Sequence, residues 1–547
     1  MIAGVSLGTA ADPPIDPPIN AEDAATTVPD AVRRRLQSIS GTWTSWAATA
    51  WIAAIAAILR YVDLGRPNGI VFDEIYYAVE GQELLDHGVE WRTLTDTAGA
   101  PTGGYGDFVV HPPLGKWIIA LGIKLFGNDA FGWRFASATA GVLSVVLLTR
   151  IARRMFRSTV LGCAAGLLMA LDGMHLVLSR IAILDIFVMF FVVAAFGCVL
   201  LDRDARRNRW LQHLERGLDP RRSGPAGRLP AELSGVRWWR LAAGLMLGAG
   251  GAVKWSAFFF VPFFMLLIYL WEAQLRRTVG ARHPWRDALL GEVGWIAAMG
   301  VCVFGAYLAS WTGWFIHDTG WKRHYLNLEK GEYEPFVLGA LYNLWAYHVD
   351  VLRFHETLQT AHPYQSWPWQ WLLLGRPVSF YKNGDPLCDA PPCHAEILLL
   401  GTPVLWWSFL PALAGLCWFG ISRRDWRATA IVTGVVAGLG PWFYYALDRR
   451  TMFYFYALPA EPFLVLAVVY CLGALMIGPG VGRFADGRVS PRFSLPLEDR
   501  RLYGTIVAAG YMLLVALCFW WFYPLYVAGS LPYQDYLMRL LLGNRWA

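Results

Sequence analysis

Two adjacent carboxylates, Asp73 and Glu74, sit in Gly69-Ile70-Val71-Phe72-Asp73-Glu74-Ile75-Tyr76-Tyr77, a short way past the first long apolar segment of the chain. Further ionisable groups accompany them: Asp107 with His111-Pro112-Pro113-Leu114-Gly115-Lys116, then Arg134, then Arg180 with Asp185. A carboxylate near several cations at a membrane surface suits transfer of a group from a lipid-linked phosphate, the cations holding the phosphate and the carboxylate taking a proton from the acceptor. Each residue also has a purely structural use. Asp73 would cap a short helix with Glu74 in its first turn, Lys116 would snorkel from an interfacial helix, and Arg180 would bridge to Asp185. Residue type and spacing leave both uses open.

These groups are set in a chain of 547 residues that is 56% hydrophobic and 15% aromatic, with a mean hydropathy of +0.37. That is more apolar than a soluble chain of this length can bury, and it implies an all-α polytopic membrane protein. Apolar segments at 43–61, 132–152, 158–177, 183–201, 238–253, 255–272, 291–312, 396–421, 428–446, 452–477 and 502–523 predict about eleven transmembrane helices in a membrane domain over 43–523. Arg clusters recur in alternate connections: Arg33-Arg34-Arg35, Arg153-Arg154, the Arg-rich stretch 202–237, Arg276 to Arg286, Arg423-Arg424, and Arg483 to Arg501. By the positive-inside rule these face the cytoplasm, with the N-terminus inside and the C-terminal tail 524–547 outside. The two long loops, 62–131 and 313–395, then share the extracytoplasmic side with Asp73-Glu74, Asp107, His111 to Lys116, Arg134, Arg180 and Asp185.

Residues 1–42 are rich in Pro, Asp, Ala and Thr and read as a disordered cytoplasmic tail. Within the first long loop, residues 74–86 suit a short helix, and 114–126 is apolar but too short to span, so it is expected to lie in the interface. The basic 202–237 loop is explained by orientation, so no nucleic-acid partner is expected. Of eight Cys, six lie inside apolar segments, where Cys packs as a small hydrophobe. Cys388 and Cys393 fall in a polar loop, where a small disulfide and two free thiols are both open; no second Cys or His pair makes a zinc site. Phosphate-loop, zinc-protease and nucleophile-elbow motifs are absent from the sequence. His348, His355 and His362 lack ligand-like pairing and read as hydrogen-bonding loop residues.

Arg66-Pro67, Val71-Phe72-Asp73-Glu74, His111 to Lys116, Arg180 to Asp185, and His362-Pro363-Tyr364-Gln365-Ser366-Trp367-Pro368-Trp369 occur in the order found in protein O-mannosyltransferases, which the chain resembles from about residue 45 to about 525. The resemblance implies the C-type glycosyltransferase fold and mannosyl transfer, with inversion at the anomeric carbon, from a polyprenyl phosphate to Ser or Thr hydroxyls of exported polypeptides. It makes Asp73 the catalytic carboxylate and Glu74 its positioning neighbour. Arg134, Arg180 and Arg66 are then expected near the donor phosphate, and His111, Lys116, Asp185, His362 and Trp369 among the substrate-binding residues. No metal or other cofactor is expected, and an export channel is a candidate partner. Two departures, a second loop too short for the sugar-binding-like luminal module of eukaryotic members and Val110 where those members tend to carry an acid, imply a bacterial, actinobacterial form in the cell membrane. The alternatives are a polyprenyl-phosphate-sugar transferase acting on a glycan or lipid, a secondary transporter, and a non-catalytic export partner.

Overall fold

The computed structural model describes residues 28–37, 39–97, 99–222, 235–383, 392–477 and 497–546. Helix α1 (Asp30–Leu36) lies inside the stretch expected to be disordered. Leu36 packs with Trp210, Leu214 and Leu275, and Arg33 pairs with Glu215 at 3.1 Å. Leu36, with Val28 and Val32 packed on the same cluster, anchors this turn, which the polar composition around it conceals.

Helix α2 (Trp43–Tyr61) starts at a capping box made by Thr42 and Ser45. The first long loop then holds α3 (Glu74–His87), an antiparallel hairpin of β1 (Trp91–Thr95) and β2 (Pro101–Gly106), and α4 (Leu114–Phe126). Both expected helices of this loop are present, α4 with the expected bounds. Helix α3 stops at Gly88, whose φ of 75° is left-handed and whose Cβ position lies 2.2 Å from His317 Nε2, so only glycine fits. Helix α4 packs between α3 and α5 (Ala130–Phe156), and the N-terminus of α5 is capped by the Asp129 carboxylate accepting from Gly132 N–H.

The expected span at 158–177 is two helices, α6 (Thr159–Ala170) and α7 (Gly173–Leu178). Asp172 breaks it by capping α7 through His175 N–H while accepting from Thr402 N–H and Trp406 Nε1. Helix α8 (Asp185–Glu215) runs well past the expected end at 201, so the first part of the basic 202–237 stretch is helix, not loop. Several Arg residues of this stretch and of the start of α9 are paired in the interior: Arg206 with Glu272 at 3.0 Å, and Arg237 and Arg240 with Asp202 at 2.7 Å and with Glu292. After α9 (Trp238–Val253) come a 3-10 turn at Trp255–Phe259, α10 (Phe260–Val279) and α11 (Pro284–Ser310).

The second long loop is mostly structured: α12 (Thr312–Ile316), α13 (Tyr325–Leu328), α14 (Phe336–Thr357), α15 (Pro368–Trp371), and the antiparallel strands β3 (Val378–Asn383) and β4 (Cys393–Leu399). Residues 396–400 were expected to open a span, but the apolar run belongs to β4 and the helix α16 (Pro403–Arg423) begins only at a proline. Helix α17 (Trp426–Leu447), a 3-10 turn at Tyr454–Ala460, α18 (Glu461–Ile477) and α19 (Leu497–Tyr526) complete the bundle. The expected C-terminal tail folds back: β5 (Leu531–Pro532) pairs with Cys393 and His394 of β4, and α20 (Tyr533–Arg539) follows. The all-α expectation is thus corrected by five short strands, all in the connections.

Among the described residues, eight helices are long and apolar enough to cross a membrane. Three of the eleven expected spans fall outside that set: α2, α9, and the broken α6 with α7. Helix α8 is at the centre, packed on α5, α9 and α10, and its side chains from Asp185 to Met189 are all buried. The first-loop helices are held to this core by close backbone contact. A Cβ at Gly122 of α4 would stand 2.4 Å from the carbonyl oxygen of Gly132 in α5. Gly122→Val should therefore force α4 from α5 at a cost of ~1–3 kcal/mol, read as a fall of several degrees in the thermal unfolding midpoint of the detergent-solubilised protein; an unchanged midpoint would show that the contact yields freely.

Candidate active site

The segment before α3 is a tight, strained turn. Phe72 has a φ of 50°, in the region that non-glycine residues avoid. What holds it there is Glu74, which is fully buried. Its Oε1 accepts from Arg134 Nε at 2.7 Å and from Ala182 N–H at 2.9 Å, and its Oε2 from an Arg134 Nη at 2.8 Å and Val71 N–H at 2.9 Å. Arg134 uses its remaining donors on the carbonyls of Leu64, Pro67 and Gly69. Its five hydrogen bonds match the five N–H donors of a guanidinium. Arg134 is therefore locked inside the protein and is not available to a donor phosphate, contrary to expectation.

Asp73 has the opposite environment. It precedes α3 but makes no capping hydrogen bond, and among the described residues nothing hydrogen-bonds or ion-pairs with its carboxylate. Burial pushes its pKa up to about 6, Lys254 pulls it down and Asp185 adds to the rise. The capping role is thus absent, and Asp73 is a half-buried carboxylate with proton affinity near neutrality.

Lys254, between α9 and the 3-10 turn that follows, donates to both oxygens of Asp185 at 3.1 Å. Asp185 does not meet Arg180, whose guanidinium donates to the carbonyls of Leu59, Arg60, Val62 and Asp63 at the end of α2. Arg180 anchors the chain between α2 and α3 through these carbonyls and does not line the cavity beside Lys254. Lys116 is likewise internal: fully buried, it donates to Glu90 at 2.8 Å and to the carbonyl of His111 at 3.0 Å, with Glu80 at 3.7 Å. It neither snorkels nor reaches a ligand; it fixes the backbone of His111.

Beside Lys254 a cavity of about 500 Å³ opens, lined by His111, Trp255, His355, Trp442, Arg450 and Tyr456 among others. The Lys254 ammonium lies 4.6 Å from the centre of the Tyr456 ring. His355 Nε2 faces the carbonyl of Val110 at 3.2 Å, so that nitrogen carries the proton and Nδ1 accepts from Arg450 at 3.3 Å. Burial and the Arg450 charge bring the His355 pKa down to about 4, and burial with the Lys254 charge holds His111 well below the usual range. The two rings, 5.5 Å apart, stay neutral at pH 7. The cations facing the cavity are Lys254 and Arg450, and the carboxylates Glu356 and Asp448 line it too.

Residues 50–218 match the family described as dolichyl-phosphate-mannose-protein mannosyltransferase, and residues 340–546 match the C-terminal four-transmembrane region of protein O-mannosyltransferases. The chain is 39% identical over 492 residues to the polyprenol-phosphate-mannose–protein mannosyltransferase of Mycolicibacterium smegmatis, covering 88% of this chain and 89% of that one. It belongs to the protein O-mannosyltransferase family. The enzyme of that name from Mycobacterium tuberculosis is 36% identical over 549 residues, 98% of each chain. The fold matches the S. cerevisiae protein O-mannosyltransferase Pmt1–Pmt2 complex bound to the sugar donor with a TM-score of 0.63, over 91% of this chain and 92% of that one at 14% identity.

The family motifs map unevenly onto the site. Asp73 and Asp185 both lie near Lys254, which lines the cavity with His111. Arg66 is exposed in the loop before α3 and does not line the cavity. His362 and Trp369 also lie off it: His362 is exposed with its ring 5.0 Å from Phe453, and Trp369 is exposed and stacked on Trp367 at 5.6 Å. Cys388 lies outside the described residues, and Cys393 is buried at the start of β4 and disulfide-bonded. Among the described residues no group of His, Cys, Asp and Glu is arranged to hold a metal ion.

Sequence reasoning missed Lys254 and Arg450 as site residues. Both sit in short connections on the side predicted to be extracytoplasmic, where the positive-inside pattern gives basic residues no orienting role. That misplacement was the available signal. If Glu74 supports the turn while Asp73 is free to react, Glu74→Gln should cost on the order of 3–5 kcal/mol of stability by leaving Arg134 under-compensated, whereas Asp73→Asn should leave the thermal midpoint unchanged or slightly raised. Equal destabilisation by the two substitutions would contradict the division of roles.

Proposed function

We propose that this chain transfers mannose from polyprenyl-phosphate-mannose to Ser or Thr hydroxyls of polypeptides at the outer face of a bacterial cell membrane, with inversion at the anomeric carbon. The observation that carries this reading is the Asp73 carboxylate, without a partner among the described residues and poised near neutrality in the field of Lys254, which lines the cavity with Arg450, in a chain 39% identical to an enzyme named for that reaction.

In the reaction the acceptor hydroxyl lies against Asp73, which takes its proton as the oxygen attacks mannose C1. The bond from C1 to the phosphate oxygen breaks, and polyprenyl phosphate leaves with the electron pair. Lys254 and Arg450 hold the growing negative charge, which their places at the cavity favour over Arg134 and Arg180, neither of which lines it. His111 and His355, neutral, offer hydrogen bonds without competing for the proton that Asp73 must receive. Protein groups alone carry each of these steps.

Asp73→Asn should lower the rate of mannose transfer by about 10²–10⁴-fold while the affinity for the lipid-linked donor is retained, measured with labelled donor and a Thr-containing peptide. Full activity in that variant would remove Asp73 from the chemistry. Offering the wild-type chain a peptide and a glycan side by side distinguishes the protein acceptor from the alternative: mannose on the peptide is expected, and mannose on the glycan alone would overturn the reading.

A further inference from the structure

A second cavity, of about 690 Å³, opens on the side of the bundle between α10 and α17, its wall completed by the last turns of α16 and by Trp285 of α11. It lies away from the first cavity along the same helix. The turn that leads into α10 lines the first cavity with Trp255, Ser256 and Phe259, whereas the second begins only at Phe263 and ends at Arg277, in the last turn of α10. From Phe263 to Arg277 the helix rises roughly 21 Å, against the about 15 Å of hydrocarbon in one leaflet of a bilayer. The groove is thus long enough to cross one leaflet and reach its headgroup layer, at the end of the bundle where the basic connections recur. Phe263, Leu266 and Leu270 of α10 line it together with Val432 and Val436 of α17. Leu266 and Val436 are exposed, so the groove opens on the flank of two helices long and apolar enough to span a membrane.

The charge of the groove is all at one end. Arg277 and Arg424 line it, both are exposed, and neither guanidinium has a hydrogen-bond or ion-pair partner among the described residues. Gln274 and Thr429, a turn away in α10 and α17, add polar groups. Trp271 and Trp426 also line the groove, and the Arg203 guanidinium of α8 lies against both, 5.1 Å and 3.5 Å from the ring centres, with its Nε and one Nη buried and unpartnered. The acids nearby are already paired: Asp425 with Arg427, Asp204 with Arg154 and Arg203, and Glu272 with Arg206 and Arg276. Among the described residues no Asp or Glu lines the groove, in contrast to the first cavity with Glu356 and Asp448.

We propose that this groove binds an anionic phospholipid of the leaflet at the basic end of the bundle, with an acyl chain between α10 and α17 and the phosphate against Arg277 and Arg424. Three features of the lining select that occupant: apolar helix flanks along the length of an acyl chain, two unpaired guanidinium groups where the headgroup falls, and no carboxylate to receive choline or ethanolamine. A water-soluble anion would forgo the apolar length. The lipid braces α10 against α17, the two helices whose other ends lead to Lys254 and Arg450.

The test uses the full chain in mild detergent, titrated with phosphatidylglycerol or phosphatidylcholine and read by native mass spectrometry. Wild-type protein should retain one phosphatidylglycerol and bind it at least tenfold more tightly than phosphatidylcholine. Substituting both Arg277→Gln and Arg424→Gln, at exposed positions that do not threaten the fold, should weaken phosphatidylglycerol by about thirtyfold and abolish the preference, with the donor KM for mannose transfer unchanged. Thr429→Trp, which fills the groove from an exposed position, should displace the lipid altogether. Equal retention of the two lipids by the wild type, or phosphatidylglycerol binding that the Arg substitutions leave untouched, would overturn the proposal. So would preferential binding of polyprenyl phosphate with a donor KM raised by these substitutions, which would give the groove to the reaction's own lipid. A dimer that holds no lipid and is broken by Thr429→Trp would make the groove an interface between copies of the chain and equally contradict it.

Discussion

The ion pair between Glu74 and Arg134 is the constraint on which the reactive geometry depends. Removing a carboxylate and a guanidinium from water costs several kcal/mol per ion, and their mutual attraction offsets this only where the remaining donors and acceptors are also satisfied. Here they are: the carboxylate also takes the N–H groups of Val71 and Ala182, and the guanidinium also serves three carbonyls of the chain between α2 and α3. The pair therefore ties three distant stretches together, the loop at 64–74, helix α5 and the segment before α8. Arg180, holding the end of α2 by four carbonyls, fastens the same loop from its other side. Against that frame Phe72 can be kept at a φ of 50° and Asp73 left without a capping hydrogen bond.

The contrast between two neighbouring carboxylates is the main chemical lesson. Glu74 is saturated with donors and does structural work, while Asp73 lies one residue away with none among the described residues and has a raised pKa. Around it the connections of the bundle deliver the rest of the site: α7 to α8 brings Asp185, α9 to α10 brings Lys254, and the segment after α17 brings Arg450. The long helices fix how these short connections meet. Rigid apolar packing at the centre, on α8, thus places charges that no single segment carries together.

Much of this was legible in the amino-acid sequence. The Asp73-Glu74 pair, the apolar segments, α3 and α4, and the gathering of ionisable connections at one end all followed from composition, hydropathy and spacing. What failed had a common cause. Arg134 and Arg180 look like phosphate ligands by type, but Arg134 is taken up by Glu74 and three backbone carbonyls and Arg180 by four carbonyls, and carbonyl partners leave no mark in the sequence. Lys116 looked exposed because the acids that bury it, Glu80 and Glu90, stand apart from it in the chain. Asp172 interrupts an apolar segment that hydropathy reads as continuous, and β4 carries an apolar run whose period fits strand or helix.

The central claim is that Asp73, unpaired and half-buried, is the group that accepts the acceptor's proton. The most direct measurement is the pH dependence of kcat/KM for mannose transfer from pH 5 to 8, in the wild type and in Lys254→Gln. Since the carboxylate must be ionised to act, the rate is expected to rise with pH through a single ionisation near 6. Removing the Lys254 charge, which favours the ionised form, should move that rise to higher pH. A rate that is flat across the range, or a profile that stays in place when Lys254 is neutralised, would contradict the account.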